Sequence, residues 1–64
     1  MRLNGQQIAL GQDQTLLEFL TAASYDCKTI AVERNGIIVP KTEYEHVYLK
    51  DEDTVEIVRF VGGG

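Results

Sequence analysis

The chain has 64 residues, 10 of them acidic and 6 basic, for a formal charge of −4. So short a chain forms one domain and buries only about 60% of the surface its unfolded form exposes, too little to enclose a substrate-sized pocket around a good core. The absence of any basic cluster argues against nucleic acid and against an anionic membrane surface, and an electropositive protein suits the charge better. The lone cysteine, Cys27, excludes an internal disulfide. With no signal segment at the start and no apolar run of about 20 residues, a reducing cytoplasm is the expected location.

Taken in order, Met1-Arg2-Leu3 is a short candidate strand with Met1 and Leu3 on one face. Asn4-Gly5 marks a hairpin, since both residues tolerate positive φ. Gln6 lengthens the connection, and Gln7 to Leu10 returns as a second strand with Ile8 and Leu10 inward and Ala9 outward. Gly11-Gln12-Asp13 breaks it. A helix is expected from about Thr15 to Ala23. Thr15 and Glu18 have the spacing of a capping box, and Leu16, Phe19, Leu20 and Ala23 mark the buried stripe, widened by Leu17. So short a helix is marginal alone in water and must dock on a sheet.

Thr29 to Arg34 reads as a third strand, Ile30 and Val32 facing one way and Ala31 and Glu33 the other. Asn35-Gly36 is a second turn. Ile37-Ile38-Val39 is apolar but short and closed by Pro40, which fits poorly inside a central strand, so it reads as a short extended edge or a partly exposed connection. Lys41 to Glu45 suits one helical turn, His46 to Leu49 a short strand, and Asp51-Glu52-Asp53 a solvated charged turn. Thr54 to Val61 is the longest strand-like run. Val55 and Ile57 share one face, and Glu56, Val58 and Phe60 the other. Arg59 then falls on the side of Val55 and Ile57: either a bulge shifts the phase near Val58, or the core has ended by Arg59.

A hairpin, one helix crossing over, and further strands give an α+β chain, a mixed sheet of four to five strands with one main helix on one face. That is the β-grasp order. Residues 1–61 make the domain, and Gly62, Gly63 and Gly64 are expected to form a mobile tail carrying a terminal carboxylate. Without side chains, such a thread enters a channel too narrow for other residues. Three residues reach at most about 10 Å, so a docking surface must lie near the root of the tail. Val58 and Phe60 are the candidates for its apolar part, with core packing as the alternative for both. Arg59 pairs with an acidic partner residue or snorkels over the sheet.

Cys27 has no base or orienter beside it in sequence and reads as an inert thiol. His46 beside Tyr44 and Tyr48 is weak evidence for a metal, and no metal or cofactor is expected to bind. No general acid–base pair stands out, so the chain is expected to be acted upon and not to be an enzyme. Lys28, Lys41 and Lys50 carry no assigned role.

Met1-Arg2-Leu3-Asn4-Gly5, Val32-Glu33-Arg34-Asn35, and Val55-Glu56-Ile57-Val58 leading into Phe60-Val61-Gly62-Gly63-Gly64 together resemble the ThiS family, small sulfur carriers of thiamine biosynthesis within the ubiquitin-like β-grasp superfamily. The resemblance spans essentially the whole chain, and the terminal diglycine is its most specific part. It implies that a partner adenylyltransferase similar to ThiF uses ATP and magnesium to adenylate the Gly64 carboxylate. Sulfur from a persulfide donor then displaces AMP, and thiazole synthase takes the sulfur from the Gly64 thiocarboxylate. A carboxylate is ionised at neutral pH, with a pKa near about 3.5, and is a poor acyl acceptor until adenylation supplies a leaving group. The diglycine is shared with the small subunit of molybdopterin synthase and with ubiquitin-like modifiers, so those two functions stand as alternatives. A plain interaction domain with an idle tail is the third. The chain is expected to be a monomer when free.

Overall fold

The computed structural model describes residues 1–60. Their order is β1 (Arg2–Leu3), β2 (Gln6–Gln7), α1 (Leu16–Ala22), a 3-10 turn (Cys27–Thr29), β3 (Ile30–Arg34), β4 (Ile37–Ile38), a second 3-10 turn (Lys41–Glu43) and β5 (Thr54–Arg59). The strands form one mixed sheet in the order β2-β1-β5-β3-β4. β5 is central, parallel to β1 and antiparallel to β3. This is the expected β-grasp arrangement.

The two Asn-Gly turns behave as their sequence demands. Asn4 and Gly5 have φ of 49° and 84°, Asn35 and Gly36 53° and 83°, the double positive φ of a two-residue hairpin turn. Such a turn leaves Gln6 opposite Leu3, so Gln6 is a strand residue and not part of the connection. The second strand is accordingly Gln6–Gln7 and not Gln7 to Leu10. Past Gln7 only Ile8 keeps ladder contact, its N–H donating to Met1 O at 2.8 Å, before the chain bends at Gly11. Ile8 and Leu10 still pack against the core while Ala9 is exposed, as the alternation predicts.

Helix α1 is short, and its ends are tied down. The capping box is complete: Glu18 N–H donates to Thr15 Oγ1 at 3.1 Å, and Thr15 N–H to Glu18 Oε1 at 2.8 Å. The remaining unpaired donors of the first turn are taken by distant backbone, Leu16 N–H by Val47 O at 2.7 Å and Leu17 N–H by Tyr44 O at 2.9 Å. At the other end Ser24 N–H donates to Thr21 O and Tyr25 N–H to Leu20 O, a Schellman-type closure with Ser24 at φ 63°. Leu16 and Leu20 are buried, and Phe19 and Leu17 pack at the margin. Ala23, expected in the stripe, is exposed, because it caps the helix where the chain turns away.

The core lies between α1 and one face of the sheet: Met1, Leu16, Leu20, Ile30, Val32, Tyr44, Leu49, Val55 and Ile57. β4 is the edge strand anticipated from Pro40, and Lys41–Glu43 makes the expected helical turn. His46 to Leu49 is not a strand. The His46 and Val47 N–H groups are spent on Glu43 O at 2.9 and 3.0 Å, and only Tyr48 bridges to Thr15. The Asp51–Asp53 turn is not wholly solvated either. Asp53 is 3% exposed and holds three donors: Arg34 Nε at 3.0 Å, Asn35 Nδ2 at 3.1 Å and Lys50 N–H at 2.9 Å. This cluster pins the start of β5 to the β3–β4 turn.

Candidate docking face and tail root

The register between β3 and β5 runs without interruption from Arg34↔Val55 through Ala31↔Val58 to Ile30↔Arg59. No bulge shifts the phase. Of the two expectations for Arg59, the second holds: the helix-side core has ended, and Arg59 is an exposed residue on the helix side of the sheet. Its guanidinium carbon stands 5.1 Å from the centroid of the Tyr25 ring, where a cation and an aromatic face attract.

The opposite face of the sheet has no covering element among the described residues. Val58 and Phe60 lie on it, 60% and 57% exposed, which excludes core packing for both. Lys41 Nζ sits 5.8 Å from the Phe60 ring centroid. The alternation places Glu56 on the same face, and the β3–β5 and β3–β4 registers add Ala31, Glu33 and Ile38. Ala31, Glu33, Ile38, Glu56 and Val58 line a shallow groove. Val58 and Phe60 therefore come together on this face, whereas Arg59 points to the other. The chain's own period-2 pattern already held Glu56 with Val58 and Phe60. The contribution of β3 and β4 needed the strand pairing, which periodicity does not supply.

The end of β5 is held in place from both sides. Phe60 N–H donates to Thr29 O at 2.8 Å. On the β1 side, Arg2 N–H reaches Asp53 O and Asn4 N–H reaches Val55 O, both at 2.9 Å. β1 then turns away, and the Asn4 carboxamide takes over: its Oδ1 accepts from Ile57 N–H at 2.7 Å, and its Nδ2 donates to Ile57 O at 3.4 Å. Asn4 does double work, turning the hairpin and continuing the ladder with its side chain.

Gly62, Gly63 and Gly64, the expected tail, lie outside the described residues, as does Val61. The other candidates disperse. Tyr44 is buried, and its hydroxyl pKa is raised, first by burial and then by the Cys27 thiol beside it. His46 is exposed, with Nε2 3.5 Å from Glu45 Oε1, and Tyr48 is exposed elsewhere. Among the described residues no three His, Cys, Asp or Glu side chains are grouped to hold a metal ion. No described helix is long and apolar enough to cross a membrane.

A central strand paired on both sides, one helix packed across the sheet and an open opposite face define a ubiquitin-like β-grasp domain. Comparison with known proteins places it within that class. The sequence profile described as the ThiS family matches residues 1–64. The sulfur carrier protein ThiS of Bacillus subtilis (strain 168) is 40% identical over 65 residues, covering all of this chain and 98% of that protein. The crystal structure of a thiamine biosynthesis protein (ThiS) from Geobacter metallireducens superposes with a TM-score of 0.78 at 27% identity, covering 98% of this chain and 96% of that one. The chain belongs to the ThiS family. It is also 40% identical over 62 residues to the thiazole synthase of Paramagnetospirillum magneticum, matching 97% of this chain but only 19% of that much longer protein.

Proposed function

We propose that this chain is a sulfur carrier of thiamine biosynthesis, working in the cytoplasm as a protein co-substrate. Residues 1–61 form the docking domain, and Gly62–Gly64 form the thread that partner enzymes receive. A ThiF-like adenylyltransferase, using ATP and magnesium, transfers AMP to the Gly64 carboxylate and releases pyrophosphate. The terminal sulfur of a persulfide donor then attacks the acyl-adenylate and displaces AMP, and a thiol reductant cleaves the resulting acyl disulfide, leaving a Gly64 thiocarboxylate while the thiol and the donor sulfur end as a disulfide. Thiazole synthase takes that sulfur into the thiazole ring.

The observation that carries this is the full-length match to a protein named as a sulfur carrier, joined to a chain whose last three residues are glycine. The match to part of a thiazole synthase favours the thiamine pathway over molybdopterin synthesis: in that protein a region similar to this chain is found in one polypeptide with the enzyme that would accept the sulfur. The chain needs no catalytic machinery of its own, since the adenylating partner supplies alignment and electrostatic stabilisation. The fold supports the division of labour. β5 is anchored by Asn4 on one side and Thr29 on the other, which fixes the strand that carries Val58 and Phe60. These two side chains form the docking contact nearest the tail, and Arg59, on the helix side of the sheet, is not part of it.

The test is pyrophosphate exchange with the ThiF-like enzyme of the same cell. The intact chain is expected to drive exchange of labelled pyrophosphate into ATP, and a chain lacking Gly64 is expected not to. Equal exchange with both would remove Gly64 from the reaction.

A further inference from the structure

On the open face, Glu33 and Glu56 are direct Cα partners across the β3–β5 ladder. Opposed residues of an antiparallel pair carry their Cβ atoms about 5 Å apart, and like charges so placed destabilise the sheet. Nothing within the described residues relieves them. The ion pairs there are Arg34–Asp53 and His46–Glu45, and neither glutamate has a cationic nitrogen within 4.0 Å. The described cations on that face are Arg2, opposite Thr54, and Lys41, against the Phe60 ring, and neither makes such a pair. Both glutamates are exposed, and they flank a groove also lined by Ala31, Val32, Ile38 and Val58. Ile38 is 66% exposed and Val58 60%.

Two glutamates opposed across the ladder and lining a groove with apolar neighbours suit a specific receptor. An ammonium point charge would satisfy the charge alone. A guanidinium is planar, offers donors to both carboxylates at once and lays an apolar stem along neighbouring aliphatic groups. We propose that the Glu33–Glu56 pair receives an arginine of the adenylating partner, whose stem packs over Val58 and Ile38. This rests on the reading above that such a partner exists, and it names the chemistry of its contact surface. The unfavourable pair is then tolerated in the lone domain because it is neutralised on docking. The groove adjoins Phe60, so a partner seated there also stands at the root of the tail.

The experiment uses Glu33→Gln, Glu56→Gln and the double variant, which keep shape and hydrogen-bonding capacity while removing charge. Binding to the adenylyltransferase is followed by titration calorimetry at two salt concentrations, beside thermal melts and sedimentation of each chain alone. The double variant is expected to melt at or above the parent, to bind about tenfold or more weakly, and to lose much of the salt dependence of binding. Parent-like affinity in the double variant would overturn the proposal while leaving the carrier function standing. A melt well below the parent would overturn it too, by making the carboxylates structural. So would a parent dimer that the substitutions dissociate, because the occupant would then be a second copy. If the parent itself does not bind the adenylyltransferase, the carrier reading falls and this inference with it.

Discussion

Asn4 grips Ile57 through both atoms of its carboxamide, Oδ1 accepting at 2.7 Å and Nδ2 donating at 3.4 Å, across 53 residues of chain. Because Asn4 also has a φ of 49°, most substitutions there would disturb the turn as well as the clamp. Asn4→Gly separates the two, since glycine accepts that φ without strain. The variant is expected to lose about 1–2 kcal/mol, from the hydrogen bonds and the added chain entropy. Urea unfolding measures the loss, and faster exchange of the Ile57 amide locates it at the end of β5.

Asp53 predicts an acid limit. Burial pushes its carboxyl pKa up, but the hydrogen bonds from Arg34, Asn35 and the Lys50 backbone, with the Arg34 charge, outweigh that and hold it below the ordinary 3.8. A carboxyl depressed in the folded state stabilises fully above its unfolded pKa, and that stability is lost as pH falls through the folded value. The parent is therefore expected to lose stability on acidification below the ordinary carboxylate range. Asp53→Asn should cost about 1–3 kcal/mol at neutral pH and flatten the acid limb. Thermal melts from neutral pH downward compare the two.

Ser24 closes α1 with a φ of 63°, a conformation that costs a residue with a Cβ about 1–2 kcal/mol. Ser24 is exposed, and no hydrogen bond from its side chain offsets this among the described residues. Ser24→Gly keeps the closing backbone bonds and removes the strain. After the entropy of glycine is subtracted, a gain of about 0.5–1 kcal/mol is expected, read as a higher urea midpoint at unchanged slope.

Val58 and Phe60 are exposed, so truncating them should leave the fold nearly untouched. Val58→Ala is expected within about 0.5 kcal/mol of the parent, and Phe60→Ala to lose about 0.5–1 kcal/mol with its Lys41 contact. Both should weaken binding to the adenylating partner severalfold. Melting curves and titration calorimetry on the same samples separate the two effects.

Much of the fold was legible because local signals agreed with tertiary structure. The capping box at Thr15 and Glu18, the paired Asn-Gly turns and the Leu16/Leu20 stripe each formed as the residue types dictate. His46 to Leu49 misled because alternation of side chains says nothing about where the backbone N–H groups go, and Glu43 O had already claimed two of them. Asp53 was hidden for a related reason: in sequence it is one of three neighbouring acids, and only the fold brings Arg34 and Asn35 to it. The Asn4 clamp was likewise masked by the stronger turn signal of the same residue. Of the proposed docking face, Glu56, Val58 and Phe60 followed from one strand's period. Glu33 and Ile38 joined them only through pairing across the sheet.

The most direct measurement is the mass of the intact protein after incubation with the adenylyltransferase of the same cell, magnesium ATP, a persulfide donor and a thiol reductant, beside a chain lacking Gly64. A mass increase equal to the replacement of one oxygen by sulfur is expected, localised by fragmentation to Gly64 and absent from the shortened chain. An unchanged mass, with the same enzyme shown to load another carrier, would contradict it.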